Sequence, residues 1–150
     1  MIVSVEYNEL NTLIKSKTGS DAVSVRGVNN KSFTIVYTHT TIIPIISKKI
    51  KKTIEIQLSI SSASFEEVVL KNESGPLLRT ILPTFIRIIS QWVNLPDYVR
   101  VFNFDGALIR VDMGLLSTYI PALHVIGKHF TLDEAEVTML GFVLKMSPKQ

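Results

Sequence analysis

The stretch Thr53–Ser61 constrains the fold more than any other part of the chain. Ile54, Ile56, Leu58 and Ile60 alternate there with Thr53, Glu55, Gln57, Ser59 and Ser61. Successive side chains of a strand point to opposite faces, so this period of two describes a strand with one face buried and the other in water. Parallel strands, covered on both faces, read as continuous apolar runs, and this alternation therefore points to an antiparallel sheet. The abundance of isoleucine, valine and threonine elsewhere also favours sheet.

A single domain spanning 1–150 is expected, because 150 residues suffice for one core without staples. Hydrophobic residues at 46% and charged residues at 19% exclude global disorder. Cysteine is absent, which excludes disulfide scaffolds, thiol nucleophiles, thiolate zinc sites and iron–sulfur clusters. The net charge of +3 is modest and argues against a dedicated nucleic-acid binder. Met1–Tyr7 has no basic segment followed by a long apolar one, so no secretory signal is read and a cytoplasmic location is favoured. Mean hydropathy is high at +0.29. The most apolar long segment, Pro76–Val93, nevertheless carries Arg79, Arg87, Gln91 and Pro83, which argues against a transmembrane helix.

Along the chain, residues 1–7 read as a strand. Residues 9–18 read as a short helix, capped by Asn8 and ended by Gly19. Ala22–Val28 and Ser32–Thr38 pair across Asn29-Asn30. Pro44 cannot donate to a ladder, so Ile42–Ile46 is expected at a sheet edge or in a buried loop. Phe65–Lys71 is a further strand, with Val68 and Leu70 inward, and Asn72–Gly75 turns the chain.

Pro76–Val93 is predicted to be the main helix. At 100° per residue, Arg79, Thr80, Pro83, Thr84, Arg87, Ser90 and Gln91 share one side, and all the apolar residues share the other. The fold class expected is therefore α+β: a mostly antiparallel, twisted sheet packed on this one long amphipathic helix, with the smaller helix at 9–18 beside it. Tyr98–Asn103 and Ala107–Asp112 are expected to pair across Phe104-Asp105-Gly106, setting Val101 opposite Ile109 and Arg100 opposite Arg110. Met113–Ile120 reads as a short helix, Ala122–Gly127 as an apolar connector, and Phe130–Met146 as one long or two short strands with Gly141 at a bulge or turn.

Catalytic signatures are missing from the sequence. It has no nucleophile elbow, no phosphate-cradling glycine loop and no dinucleotide fingerprint. His124 and His129 lie five apart, which suits two ligands on neither a helix face nor a strand face, and no metal or cofactor is expected. Two charged features stand out. Arg100 and Arg110, if opposed on a sheet, would repel each other, and a bound carboxylate or phosphate would relieve them. The alternative is that both extend into water. Lys48, Lys49, Lys51 and Lys52 form the one dense basic run, beside Ile42–Ile46. They suit phosphate or anionic lipid, or else guard a strand from edge pairing. A basic patch rimming an apolar surface favours an anionic membrane, and one separated from it favours nucleic acid.

The order of elements over 76–146 is an amphipathic helix, the strand Tyr98–Phe102, a glycine turn, the strand Leu108–Asp112 and a closing strand Val137–Met146. In outline it resembles the end of the small bacterial relatives of the tubular lipid-binding superfamily. The resemblance covers under half the chain and rests on pattern, with no diagnostic motif. It implies a long helix wrapped by a curved sheet around an apolar groove, with ligand contact along Phe85, Ile89 and Trp92 and no catalytic residues. Function is therefore expected to be that of a non-catalytic binding module for an amphiphile or a partner chain. A homo-oligomeric structural protein, with Ile42–Ile46 buried in a neighbour, is the alternative. An enzyme without a recognisable motif is the third reading.

Overall fold

The computed structural model describes residues 1–75, 83, 86–87, 90, 95–96 and 98–150. Their strands form two antiparallel sheets. The larger is built from β2 (Val23–Gly27), β3 (Ser32–Ile43), β4 (Lys48–Ala63), β5 (Glu67–Asn72), β6 (Phe102–Asp105) and β7 (Leu108–Asp112), in the order β2-β3-β4-β5-β7-β6. The smaller is built from β1 (Ile2–Glu6), β8 (Phe130–Val137) and β9 (Gly141–Pro148), in the order β1-β9-β8. Four short helices accompany them among the described residues: α1 (Tyr7–Thr18), α2 (Tyr98–Val101), α3 (Met113–Ser117) and α4 (Pro121–His129).

The alternation in β4 sets the register of its neighbours. Ile54, Ile56 and Leu58 stand opposite Tyr37, Ile35 and Phe33, and Val23 and Val25 continue the row beyond Tyr37 and Ile35. On the other side Ile60 faces Leu70, Leu70 faces Ile109, and Ile109 faces Phe104. A continuous apolar face results. It is covered by Tyr7 from α1 and by Val137 and Phe142 from the smaller sheet. Phe142 meets Tyr7 and Phe33 edge to face at 5.4 and 5.0 Å, the geometry favoured by ring quadrupoles. Ile56 and Leu58 are 0% and 2% exposed at the centre.

The expectation of a sheet packed on one long helix is therefore corrected. No single long helix occurs among the described residues, and α1 is the longest at 12 residues. The sheet buries its apolar face against a second sheet, in which β9 pairs with β1 on one side and β8 on the other instead of extending the larger sheet. Of the helix predicted at 76–93, only Pro83, Ile86, Arg87 and Ser90 are described; all four are helical, and the rest lies outside the described residues. Ser90, assigned from sequence to the wet side, is 1% exposed.

One close approach joins the sheets, at Gly27, and a second lies within the smaller sheet, at Gly141. A Cβ on Gly27 would lie 2.2 Å from the Met139 carbonyl oxygen, and one on Gly141 would lie 2.1 Å from that of Val5. Glycine is the residue that permits backbones to come this near. The open edge of β2 is closed by a side chain: Asn11 of α1 accepts from the Val25 N–H at 2.7 Å and donates to the Val25 carbonyl at 2.9 Å. This copies the two bonds of a missing strand and blunts the edge.

Smaller differences have local causes. α1 begins at Tyr7, and Asn8 is not its cap; Gly19 ends it as expected, with φ of 68° and its N–H on the Lys15 carbonyl. The β6–β7 hairpin turns on Gly106-Ala107, pairing Phe104 with Ile109 and Asn103 with Arg110. Gly106 has φ of 62° while Ala107 stays at negative φ, the pattern of a two-residue turn with glycine first. This register places Phe102 and Phe104 inward beside Val111 and Ile109, which the expected three-residue loop could not. Residues 98–101, expected as strand, instead form the helical turn α2 that buries Val101 against Val111 and Leu95. The expected connector at 122–127 is α4, with Pro121 at its first turn, where a missing N–H costs nothing.

Candidate functional site on a projecting hairpin

β2 pairs with β3 only as far as Tyr37, and β5 pairs with β4 only from Leu58. The β3–β4 ladder continues past both limits. Thr38 pairs with Thr53, Thr40 with Lys51, Ile42 with Lys49 and Ile43 with Lys48. The six rungs from 38/53 to 43/48 thus form a two-stranded arm flanked by neither strand, roughly 17 Å long at 3.3 Å per residue. At its root the Thr38 N–H donates to the Ala22 carbonyl, and the hydroxyls of Thr38 and Thr53 are 3.5 Å apart.

Pro44-Ile45-Ile46-Ser47 closes the arm. Pro44 presets one φ for the turn, and Ser47 takes φ of 50°, in the left-handed region. Ile45 is 94% exposed and Ile46 60%. Lys48, Lys49, Lys51 and Lys52 are exposed as well, and none forms an ion pair with a described residue. The strand period sends Lys48, Ile50 and Lys52 to one face and Lys49 and Lys51 to the other. From Thr38 to Thr53 there is no aspartate or glutamate.

Of the two expectations for Ile42–Ile46, the edge strand holds for Ile42 and Ile43, which pair with β4 alone, and the buried loop does not hold for Pro44–Ile46. The segment is split between the last rungs of a ladder and an exposed turn. Pro44 sits in the turn, where its missing N–H breaks no rung. Nothing matches this chain among known protein families, curated proteins or solved structures.

The other residues singled out from sequence are placed differently. Arg100 lies on α2 and Arg110 on β7, so the two are not opposed across a hairpin. The Arg110 guanidinium is 3.2 Å from Glu67 and 3.7 Å from Asp105. These carboxylates, Glu67 brought by the pairing of β5 with β7 and Asp105 by the register of β6 on β7, already occupy the fork that an anion would use. Phe85, Ile89 and Trp92 lie outside the described residues. Pro83, Arg87, Tyr98, Val99, Phe102 and Phe104 line a hollow of about 320 Å³, at the small end for ligand sites. His124 and His129 fall on α4.

The exposure of Ile45 and Ile46 at a turn is the feature of this candidate site that the sequence reading placed otherwise, at a sheet edge, in a buried loop or in a neighbouring copy. Its signal was available: an apolar run broken by proline and followed, after Ser47, by four lysines in five residues does not suit a buried strand. No helix among the described residues is long and apolar enough to cross a membrane.

Proposed function

We propose that this protein is a non-catalytic binding module whose recognition element is the β3–β4 arm, and that its partner carries clustered negative charge. The observation that supports this reading is the arm itself: a ribbon standing clear of both flanking strands, with four exposed lysines, no acidic residue and an apolar tip. A core has no use for such an element. Lysines that only guarded an edge would not need to extend six rungs beyond the strands beside them. Partners, including copies of this chain, meet the arm first.

Heparin affinity chromatography tests the reading. A variant with Lys48, Lys49, Lys51 and Lys52 all changed to Ala is compared with one in which Lys17, Lys31, Lys71 and Lys149 are changed to Ala. Both lose the same charge. Each lysine that neutralises a fixed anion releases about one counterion, so the arm variant should elute at clearly lower salt and the control near the wild type. Equal shifts would mean that only net charge matters and would refute the reading.

A second reading rests on the hollow beside β6. Its aromatic wall (Tyr98, Phe102 and Phe104) and Arg87 suit a small amphiphile with an anionic head. Native mass spectrometry beside a denatured spectrum tests it: extra mass that disappears on denaturation supports it, and an unadorned chain mass refutes it.

A further inference from the structure

We infer that the partner of the arm is an anionic lipid bilayer, entered end-on by the Pro44–Ser47 tip. This rests on the arm being the binding element. Three features on the page separate a bilayer from a nucleic acid.

The tip is apolar. Ile45 and Ile46 are exposed at the most distant point of the arm, and a duplex could bury them only as a wedge that unstacks a base step at a few kcal/mol. A bilayer offers a place to bury them, as it does for the apolar face of an interfacial helix.

The lysines occupy both faces. A ribbon lying in a groove turns one face to the phosphates and the other to solvent. Lys48 and Lys52 on one side with Lys49 and Lys51 on the other instead surround a ribbon that stands upright, so that both sides meet headgroups at once.

The heights agree. The lysines begin at the residue after the turn and end four residues on, a span of about 13 Å along the strand. With the tip at the acyl boundary, the first pair falls within the polar layer, which is roughly 5–8 Å deep in each leaflet. The second pair then falls in the strongly negative water just above it, within a Debye length of the surface. Thr53 and the mixed-charge sheet beginning at Glu55 remain clear of the lipid.

Because the chain has no cysteine, Ile45→Cys places an environment-sensitive fluorophore at a single site. Labelled protein is mixed with vesicles of phosphatidylcholine containing about one third phosphatidylglycerol, and with vesicles of phosphatidylcholine alone. The expected result is blue-shifted, brighter emission with the acidic vesicles only, quenched by shallow spin-labelled lipid. The four-lysine variant should lose at least tenfold in vesicle partitioning, since each basic residue at such a surface is worth about fivefold. An unlabelled Ile45→Asn/Ile46→Asn variant should also lose vesicle binding while keeping its heparin retention. Unchanged emission at residue 45, with binding instead to duplex DNA or single-stranded RNA that the lysine changes abolish, would overturn the bilayer and leave the arm as the binding element. Vesicle binding indifferent to both sets of substitutions would overturn the bilayer assignment and the arm together. Thermal unfolding of each variant, expected to match the wild type because the arm lies outside the core, separates lost binding from lost folding.

Discussion

Gly141→Ala puts the pairing of β1 with β9 inside the smaller sheet to a direct test. Gly141 opens β9 and stands opposite Glu6 of β1. An alanine Cβ would lie 2.1 Å from the Val5 carbonyl oxygen, 2.7 Å from Glu6 Cα and 2.9 Å from the Val5 carbonyl carbon. All three are backbone atoms, which cannot rotate aside. Ordinary contact needs about 3.5 Å, so β1 must retreat by roughly 1 Å or more. Overpacking of this kind costs about 1–3 kcal/mol. The retreat also strains the bond from the Tyr7 N–H to the Leu140 carbonyl, now 2.9 Å, at about 1 kcal/mol for one bond. Alanine recovers about 0.4–1 kcal/mol by narrowing the unfolded ensemble. The net expectation is a loss of about 2–3 kcal/mol, which for a chain of this size lowers Tm by roughly 4–12 °C. Calorimetry and urea unfolding measure it. Gly127→Ala is the control, because its Cβ would meet Phe65 Cβ at an ordinary 3.7 Å within α4; it should be neutral or gain up to about 1 kcal/mol. A Gly141→Ala protein that melts within about 2 °C of the wild type would show that β1 does not lie against Gly141.

Other outcomes follow from single contacts. Tyr7 donates its hydroxyl to the Thr138 carbonyl at 2.9 Å, and burial raises its pKa. A raised tyrosine pKa leaves the neutral-form stability intact below the ordinary tyrosine range and removes it as pH climbs through and beyond that range. Tyr7→Phe should therefore cost about 1 kcal/mol at neutral pH yet flatten the alkaline fall in stability seen in pH-dependent urea unfolding; an unchanged alkaline limb would refute this. Asp112 accepts the Leu115 N–H at 2.9 Å and caps α3; Asp112→Ala should cost about 1 kcal/mol and Asp112→Asn much less, as read by urea midpoints. Ser47 holds a left-handed φ of 50°, so Ser47→Gly should slow amide exchange in the outer rungs of the arm, by up to about fivefold; faster exchange would refute the turn geometry. Lys145 lies 3.2 Å from both Glu134 and Glu136, and its bonding holds Glu136 below the usual carboxylate range. Lys145→Met should move the Glu136 titration upward by carboxyl NMR.

The parts of this fold legible in sequence were those written in near neighbours. The alternation from Ile54 to Ile60 specified a face because residues two apart share it, and Gly19 specified a helix end because the left-handed residue follows it directly. The paired strands around Asn29-Asn30 were legible for the same reason. Pairings between distant segments left no local mark. Nothing near Val5 announces that Phe142 will lie beside it, so the second sheet, and with it the true cover of the apolar face, was invisible. The β6–β7 register failed on one assumption, that Gly106 ends its loop; placed first in the loop, it moves every rung and separates Arg110 from Arg100. In the candidate site, the lysine run was legible and the form of the arm was not. Residues 48–52 show their charge in any conformation, whereas the exposure of Ile45 and Ile46 depends on how soon β2 and β5 stop pairing with the strands beside them.

The smaller sheet also dictates an order of events during synthesis. Its first strand, Ile2–Glu6, has one neighbouring strand among the described residues, and that neighbour spans Gly141–Pro148. The six strands of the larger sheet lie between residues 23 and 112, so they can pair while the last strands are still within the ribosome. β1 and the aromatic ring of Tyr7 must wait, emerging first and being covered last. During that interval the apolar face of the larger sheet is open to any hydrophobic binder, and closing it means joining residues more than 130 positions apart, the kind of contact that folds slowly. A released chain truncated before Gly141 would thus lack β9 and with it the Phe142 cover of the larger sheet, making it a substrate for chaperones and a starting point for aggregation.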